Sequence, residues 1–276
     1  MIATMILNNI TLGTLNSGYL FKKLRGFDFP DIRVSVKERG NQSGARLNSQ
    51  LYGRRVFVIE FTILGESASD YETKRRALEK ALEYTGGTKR LKIYTRSGLE
   101  LYSDVIVTSV DLGYEGGNVV FSEARIELTA PFPFIKSLDP VSLEINQFAG
   151  GGFAIPFAIP LPMATGQSTI ATLTNNGNAY LFPIIKIYGE ITNPTISDET
   201  NGQTFSITGT INDGHYVEID TFLRTVTLDG TTNYKQYVSG DWLKFPSGAS
   251  DVKLQSASYG ANAKAILTYN HSYLGI

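Results

Sequence analysis

The sequence predicts a mainly β protein made of two β-sandwich domains, the first carrying a single α-helix. Three observations predict it. Short apolar runs alternate with Gly, Pro, Asn and Asp turn formers through most of the chain, at the spacing of strands and turns. Only one stretch, at about residues 70–85, has a helical period. A Pro- and Gly-rich segment, 141–168, separates residues 1–140 from residues 169–276. A chain of 276 residues with 42% hydrophobic content is long enough for two cores.

In the first half, Ile32, Val34 and Val36 alternate onto one strand face. RVFVIEFTIL (Arg55 to Leu64) is rich in β-branched and aromatic residues and reads as a strong strand. The period then changes. Ser69 and Glu72 have capping-box spacing, and Tyr71, Leu78, Ala81 and Leu82 share one helical face. Glu72 and Arg76 can pair one turn apart. Gly86-Gly87 is expected to stop the helix. Strands are expected at Arg90 to Thr95, Leu99 to Leu101, Val105 to Val110 and Val119 to Thr129, with a Ser97-Gly98 turn and a Gly116-Gly117-Asn118 hairpin turn. APFPF (Ala130 to Phe134) closes the half, because its prolines cannot donate to a ladder.

In the second half, strands are expected at Leu181 to Tyr188, Gln203 to Ile211, Tyr216 to Asp220, Thr225 to Leu228, Asp241 to Phe245, Val252 to Ser256 and Ala263 to Tyr269. Asn176-Gly177, Asn193-Pro194, Asn201-Gly202, Asp213-Gly214 and Asp229-Gly230 mark turns. Many short strands with regular turns indicate a sandwich. The stretch Phe148 to Gly166 is expected to be a hinge between two separately folding units, since proline removes donors and glycine adds backbone freedom.

Composition narrows the function classes. There is no cysteine, which excludes disulfides and thiolate chemistry. Charged residues make up 18%, against ~25% in a typical soluble domain, and there are 15 Tyr and 15 Phe, a balance that suits contact surface. Residues 1–140 carry 19 basic and 16 acidic side chains, and residues 141–276 carry 6 and 10. The two halves thus differ in sign, without a nucleic-acid footprint. No leader is expected, as the first basic residue is Lys22, and the longest apolar stretch, Gly150 to Ala164, is broken by prolines.

Residues 39–55, RGNQSGARLNSQLYGRR, lack a strand or helix period and are long for a hairpin connection. Two readings are open. One is a mobile surface loop. The other is an arm that orders against a neighbouring chain, because Leu47, Leu51 and Tyr52 would be wasted in solvent. On the second reading Arg46, Leu47, Leu51 and Tyr52 are the candidate subunit-interface residues.

No catalytic, cofactor or metal site is expected. His215 and His271 sit in no ligand motif. Glu123 and Glu127 alternate with apolar residues and read as a solvated strand face. Gly86-Gly87-Thr88-Lys89 follows a helix instead of preceding one, the wrong end of the dipole for a phosphate. Trp242 reads as a core residue more readily than as a sugar-stacking platform.

Four features together resemble a known family. They are YGRRVFVIEFTILG (Tyr52 to Gly65) running directly into the helix, LTAPFPF (Leu128 to Phe134), GGFAIPFAIP (Gly151 to Pro160), and a C-terminal series. That series is NNGNAYLFPIIKIYGEITNPTI, NGQTFSI, YVEIDTFLRTVTLDG and DWLKFPSGAS (Asn175 to Ser250). The order and spacing resemble the distal tail (Dit) proteins of siphophages. The resemblance implies an N-terminal hub domain with an extended hairpin arm and a galectin-like C-terminal sandwich. It implies a homo-hexameric ring at the distal end of the virion tail, assembled in the host cytoplasm. The ring would join the tail tube protein to tail-tip, tail-lysin and receptor-binding proteins. DNA would pass through its bore without sequence-specific binding. Some members carry inserted carbohydrate-binding modules, and no segment here is long enough to be one. Two alternatives stay open: a carbohydrate-binding adsorption protein using the galectin-like domain, or another baseplate protein of a phage-tail-like particle. A wall-degrading enzyme has least support.

Overall fold

The computed structural model describes residues 1–84, 86–113, 120–146 and 170–276. The chain forms two compact units. The first is Met1–Asp139 together with Tyr273–Ile276, and the second is Pro140–Ser272.

The first unit contains β1 (Ile2–Leu7), β2 (Ile10–Leu12), β3 (Tyr19–Arg25), β4 (Ile32–Glu38), β5 (Ala45–Tyr52), β6 (Arg55–Leu64), α1 (Ala68–Leu82), β7 (Lys89–Thr95), β8 (Glu100–Asp111), β9 (Phe121–Ala130) and β10 (Ile135–Ser137). All but β4 and β5 belong to one antiparallel sheet in the order β2-β1-β7-β8-β9-β6-β3, with β10 beside β8. Its two end strands meet: the amide of Gly13 donates to Tyr19 O at 2.7 Å, and Thr14 bridges Tyr19. The sheet therefore curls around its own core. Strict alternation in β6 turns Phe57, Ile59, Phe61 and Ile63 inward, all with no exposure. Ile93, Val105, Ile126 and Leu128 join them in one cluster.

The helix covers this core with Tyr71, Leu78, Ala81 and Leu82, the face its sequence predicts. Glu72 pairs with Arg76 at 3.5 Å. Both ends differ from expectation. The N-cap is Ser67, two residues earlier, with its hydroxyl accepting from the Asp70 amide at 3.2 Å. The Asp70 carboxylate reaches back to the Glu66 amide at 2.8 Å. That bond and the Lys74 ammonium hold the Asp70 carboxyl below its usual range, Lys74 contributing more. The helix ends at Leu82 with Glu83 as C-cap, before Gly86 is reached.

The segments expected at 99–101 and 105–110 are one strand, β8. Ladder pairing resumes in β10 after the PFPF break. The expected hairpin turn at 116–118 lies outside the described residues.

Arg55, the first residue of β6, is fully buried. Its Nε donates to Pro133 O at 2.7 Å, its Nη1 to Gly26 O at 2.8 Å, and its Nη2 to Leu274 O. One guanidinium thus joins the loop before β4, the PFPF loop and the C-terminal tail. Gly26 has φ +83°, and a Cβ there would collide with the Val56 carbonyl, so only glycine lets its carbonyl face Arg55. Burial pushes the Arg55 guanidinium down to about 10, with Asp28 opposing the shift. It remains a cation at neutral pH.

The second unit is built on a sandwich of two antiparallel sheets, with a small third sheet of Thr210–Ile211, Ile191–Thr192 and Ser258–Tyr259. One runs, in spatial order, Val141–Asn146, Lys264–Tyr269, Ile184–Tyr188, Tyr216–Asp220, Thr225–Leu228 and Thr232–Asn233. The other runs Ile170–Asn175, Gly248–Gln255, Thr195–Asp198, Gln203–Ile207 and Val238–Gly240. Ile185, Ile187, Val217, Ile219 and Leu267 of the first sheet share one buried cluster with Leu173, Ile196, Phe205, Val252 and Leu254 of the second. Asp229 and Gly230, at φ +51° and +69°, form the expected tight turn. Trp242 is partly buried against this cluster, 5.4 Å from Phe205.

Three expectations for this half differ from the structure, and a fourth lies outside the described residues. The segment expected as one strand, Gln203 to Ile211, is two, Gln203–Ile207 and Thr210–Ile211, in different sheets. Residues 141–146, expected as linker, form a strand paired along its whole length with Lys264–Tyr269. Residues 147–168, the rest of the linker and hinge, lie outside the described residues. Asp241 to Phe245 is not a strand, since only Phe245 bridges, to Leu181.

Two measurements test this account. Arg55→Met removes the donors of three backbone carbonyls, each costing ~1–3 kcal/mol if left unsatisfied. Trp242 is the sole tryptophan and lies in the second unit. Urea unfolding followed by circular dichroism should show an early transition in Arg55→Met that tryptophan fluorescence misses. Unchanged curves by both probes would remove the clamp. Ser67→Ala should cost about 1 kcal/mol, the usual value of an N-cap hydroxyl, read from the same transition.

Candidate functional site: the hairpin arm

Residues 32–52 form a two-stranded sheet of their own. β4 and β5 pair antiparallel from Ile32↔Tyr52 to Glu38↔Ala45, and every residue in both strands is exposed. The stretch that shows no period in the sequence, Ala45–Tyr52, is therefore a strand. Its period is hidden by a β-bulge: Ser35 pairs Ser49 but Val36 pairs Leu47, leaving Asn48 as the extra residue.

That bulge sorts the side chains. Cross-strand partners share a face, and faces alternate along each strand. One face carries Ile32, Val34, Val36, Leu47 and Tyr52, between 38% and 57% exposed, with Gln50 among them. The other carries Arg33, Lys37 and Arg46 with Ser35, Ser49 and Leu51. Without the extra residue, Leu47 would fall among the basic side chains and Arg46 among the apolar ones.

The four candidate interface residues thus divide. Leu47 and Tyr52 lie on the apolar face, while Arg46 and Leu51 lie on the basic one. Ile32, Val34 and Val36 complete the apolar face. Their alternation is readable in the sequence, but nothing there says that no second layer covers them.

The root of the arm is tied down. The Gly53 amide donates to Asp31 O at 2.6 Å, closing the base of the hairpin. The Tyr52 ring meets Phe134 edge-on at 5.3 Å, Phe134 meets Phe132 at 5.5 Å, and Lys136 Nζ sits 4.2 Å above Phe132. The PFPF motif is thus an aromatic abutment for the arm. Arg55 fixes the same loop through Pro133. At the far end the Arg39 amide donates to Gly44 O at 3.3 Å, with Gly44 at φ +98°.

The residues tested for chemistry are placed as follows. His215 Nδ1 lies 2.7 Å from Asp229 Oδ2, and the Asp229 carboxyl is held below its usual range, first by that contact and then by the Tyr216 amide. His271 Nδ1 accepts from the Asn176 amide at 3.2 Å, and burial lowers its pKa. Glu123 pairs with Lys22, and Glu127 with Arg125. Among the described residues no group of three or more His, Asp or Glu could hold a metal ion. No helix among them is long and apolar enough to cross a membrane.

Two family models match the sequence. Residues 7–112 match a phage tail protein RIFT-related domain, and residues 176–273 match the C-terminal domain of the siphovirus-type tail component. No curated protein matches. Among solved structures, the Dit protein of SPP1, described as a paradigm of hub adsorption apparatus in phages infecting Gram-positive bacteria, is similar at 12% identity. The match has a TM-score of 0.66 and covers 98% of this chain and 99% of that one. A chain of the phage P2 baseplate in its activated conformation with calcium is similar at 11% identity and a TM-score of 0.47, covering 96% and 97% of the two chains. A phage tail domain thus matches the first half and the siphovirus-type tail component's C-terminal domain the second, and the chain takes the Dit fold over nearly its whole length. The chain belongs to the distal tail protein (Dit) family of siphophage tail components.

Proposed function

We propose that this phage tail-tip protein is a non-catalytic hub whose arm laps onto the next copy and closes a ring of six. The observation that carries this reading is the arm's exposed apolar face. Five neighbouring apolar side chains in water are a standing cost. Covering each half-exposed side chain would contribute on the order of 1 kcal/mol. The arm and the body of the first unit are different surfaces, so arm-to-body contact between copies is heterologous. Such contacts close into rings when the rotation permits. Family membership favours six copies.

On this reading the first unit faces inward and the second unit faces outward. Ile32, Val34, Val36, Leu47 and Tyr52 contact the neighbour's body, with Arg46 and Leu51 on the opposite side of the same arm. The ring links the tail tube to the tail-tip, tail-lysin and receptor-binding proteins, and DNA passes through the bore without base contacts.

Two experiments test this. Val34→Asp combined with Leu47→Asp places two charges on the apolar face without touching either core. The purified variant should melt within about 1 °C of the wild type, as expected for surface substitutions. It should fail to enter phage tails in a complementation assay, and normal incorporation would remove the arm from the interface. Separately, electron microscopy of whole particles with an antibody against the second unit should show label at the end of the tail distal to the capsid. Label along the tail would mark a tube protein, and label on the capsid would sink the hub reading.

A further inference from the structure

The ring contact uses only one face of the arm. β4 and β5 pair as a single layer, so its faces point in opposite directions. A neighbouring body that covers Val34 and Leu47 leaves Arg33, Lys37 and Arg46 uncovered. Lys37 and Arg46 are direct cross-strand partners, with Ser35 and Ser49 paired between them and Arg33. Arg33 to Lys37 spans about 13 Å along the strand.

Like charges set directly opposite each other weaken a sheet. Among the described residues none of the three cations makes a side-chain hydrogen bond or an ion pair. Neither strand places a carboxylate on this face, because Glu38, the one acid of the two strands, alternates onto the other side. Elsewhere in the first unit exposed cations do meet acids: Arg25 with Glu60 at 4.0 Å, Arg76 with Glu72 at 3.5 Å and Arg90 with Asp104 at 2.9 Å. Charge on an exposed hairpin guards against edge-to-edge pairing. Mixed signs would serve that end without setting Lys37 against Arg46. A face of one sign is therefore missing its anions.

The same face discriminates between anions. Two of its three cations are arginines, whose planar fork takes a carboxylate or a phosphate through two bonds. Leu51 stands opposite Arg33 and is 58% exposed. A nucleic-acid backbone offers that side chain nothing. Three cations also fall short of the roughly 6–10 phosphate contacts of a strongly salt-dependent DNA-binding surface. A protein surface supplies carboxylates and an apolar contact together.

We infer that the basic face is a second docking surface, taken by a carboxylate-bearing surface of a different tail protein. The arm then joins two partners at once: a copy of this chain through Val34 and Leu47, and an acidic protein through Arg33, Lys37 and Arg46. The first of these contacts rests on the hub reading, and the second is tested apart from it.

The test places a photo-crosslinking phenylalanine analogue at Ser49 in one set of particles and at Val34 in another, and identifies the products by mass spectrometry. Ser49 should join a different tail protein at a segment containing Asp or Glu. Arg33→Ser with Arg46→Ser should lower that yield by about fivefold, the loss of two exposed ion pairs. Arg33→Lys with Arg46→Lys, which keep the charge, should lower it less. Neither pair should change the Val34 product. If the analogue at Ser49 blocks assembly, its register partner Ser35 carries it. If the double serine variant does, Arg46→Ser alone is read. A Ser49 product with this chain only, with DNA only, or with nothing overturns the inference. So does a product with another protein that the serine variants leave unchanged. In each of those cases a self-product at Val34 leaves the hub reading standing. Loss of the Val34 product with the Ser49 product kept would strike the ring contact alone.

Discussion

The first unit depends on one buried cation. Arg55 stands where the arm ends and the core strand β6 begins, and its guanidinium ties together three segments that are far apart in sequence. Removing a guanidinium from water is costly, and only charge-assisted bonds in good geometry offset that cost. Here Gly26, Pro133 and Leu274 each supply a carbonyl. A lysine could not reach all three, because its ammonium is a single point where the guanidinium is a planar fork. The C-terminal residues are drawn into the same joint: the Ile276 amide donates to Phe27 O at 3.0 Å. The result is a fixed platform from which the hairpin emerges.

An isolated two-stranded hairpin is marginal in water. This one has a closed base, an aromatic abutment at Phe132 and Phe134, and a bulge that separates apolar from basic side chains. Those features order its root and polarise its faces, but they do not cover Val34, Val36 or Leu47. The arm is thus a structured element with an unsatisfied surface. It fits a family whose members work in a tail assembly, where a neighbour can supply the missing layer. The second unit is different in kind. Its core lies between two sheets, and its outward face carries paired charges such as Lys186 with Glu218 at 3.1 Å as well as single exposed apolar side chains such as Ile170 and Leu223.

Much of this fold is legible in the sequence, and the misses have physical causes. Strands with unbroken alternation, such as Arg55–Leu64 and Tyr216–Asp220, are plain. The strand Ala45–Tyr52 is hidden because Asn48 is an extra residue that breaks its period. β1–β3 pass unread because their first hairpin turns at Asn8-Asn9, both at positive φ, without the glycine that usually marks such a turn. Ser67 and Ser69 each have an acid three residues on, Asp70 and Glu72, so the spacing alone does not choose the cap; in the fold it is Ser67 that accepts from the Asp70 amide. Asp241 to Phe245 has the alternation of a strand and buries Leu243 and Phe245, but it pairs only at one bridge. Burial and pairing are separable there, and pattern reports only burial. At the arm, Leu47 and Tyr52 are readable as apolar residues without a core, whereas the face they share with Ile32, Val34 and Val36 depends on the bulged register.

The central claim is that a second copy of this chain covers the apolar face of the arm. The most direct measurement places a photo-crosslinking phenylalanine analogue at Val34, irradiates intact particles and separates the products by mass. The account predicts a product of two chains, extending to a ladder that stops at six. Crosslinks only to a different tail protein, or none in assembled particles, would contradict it.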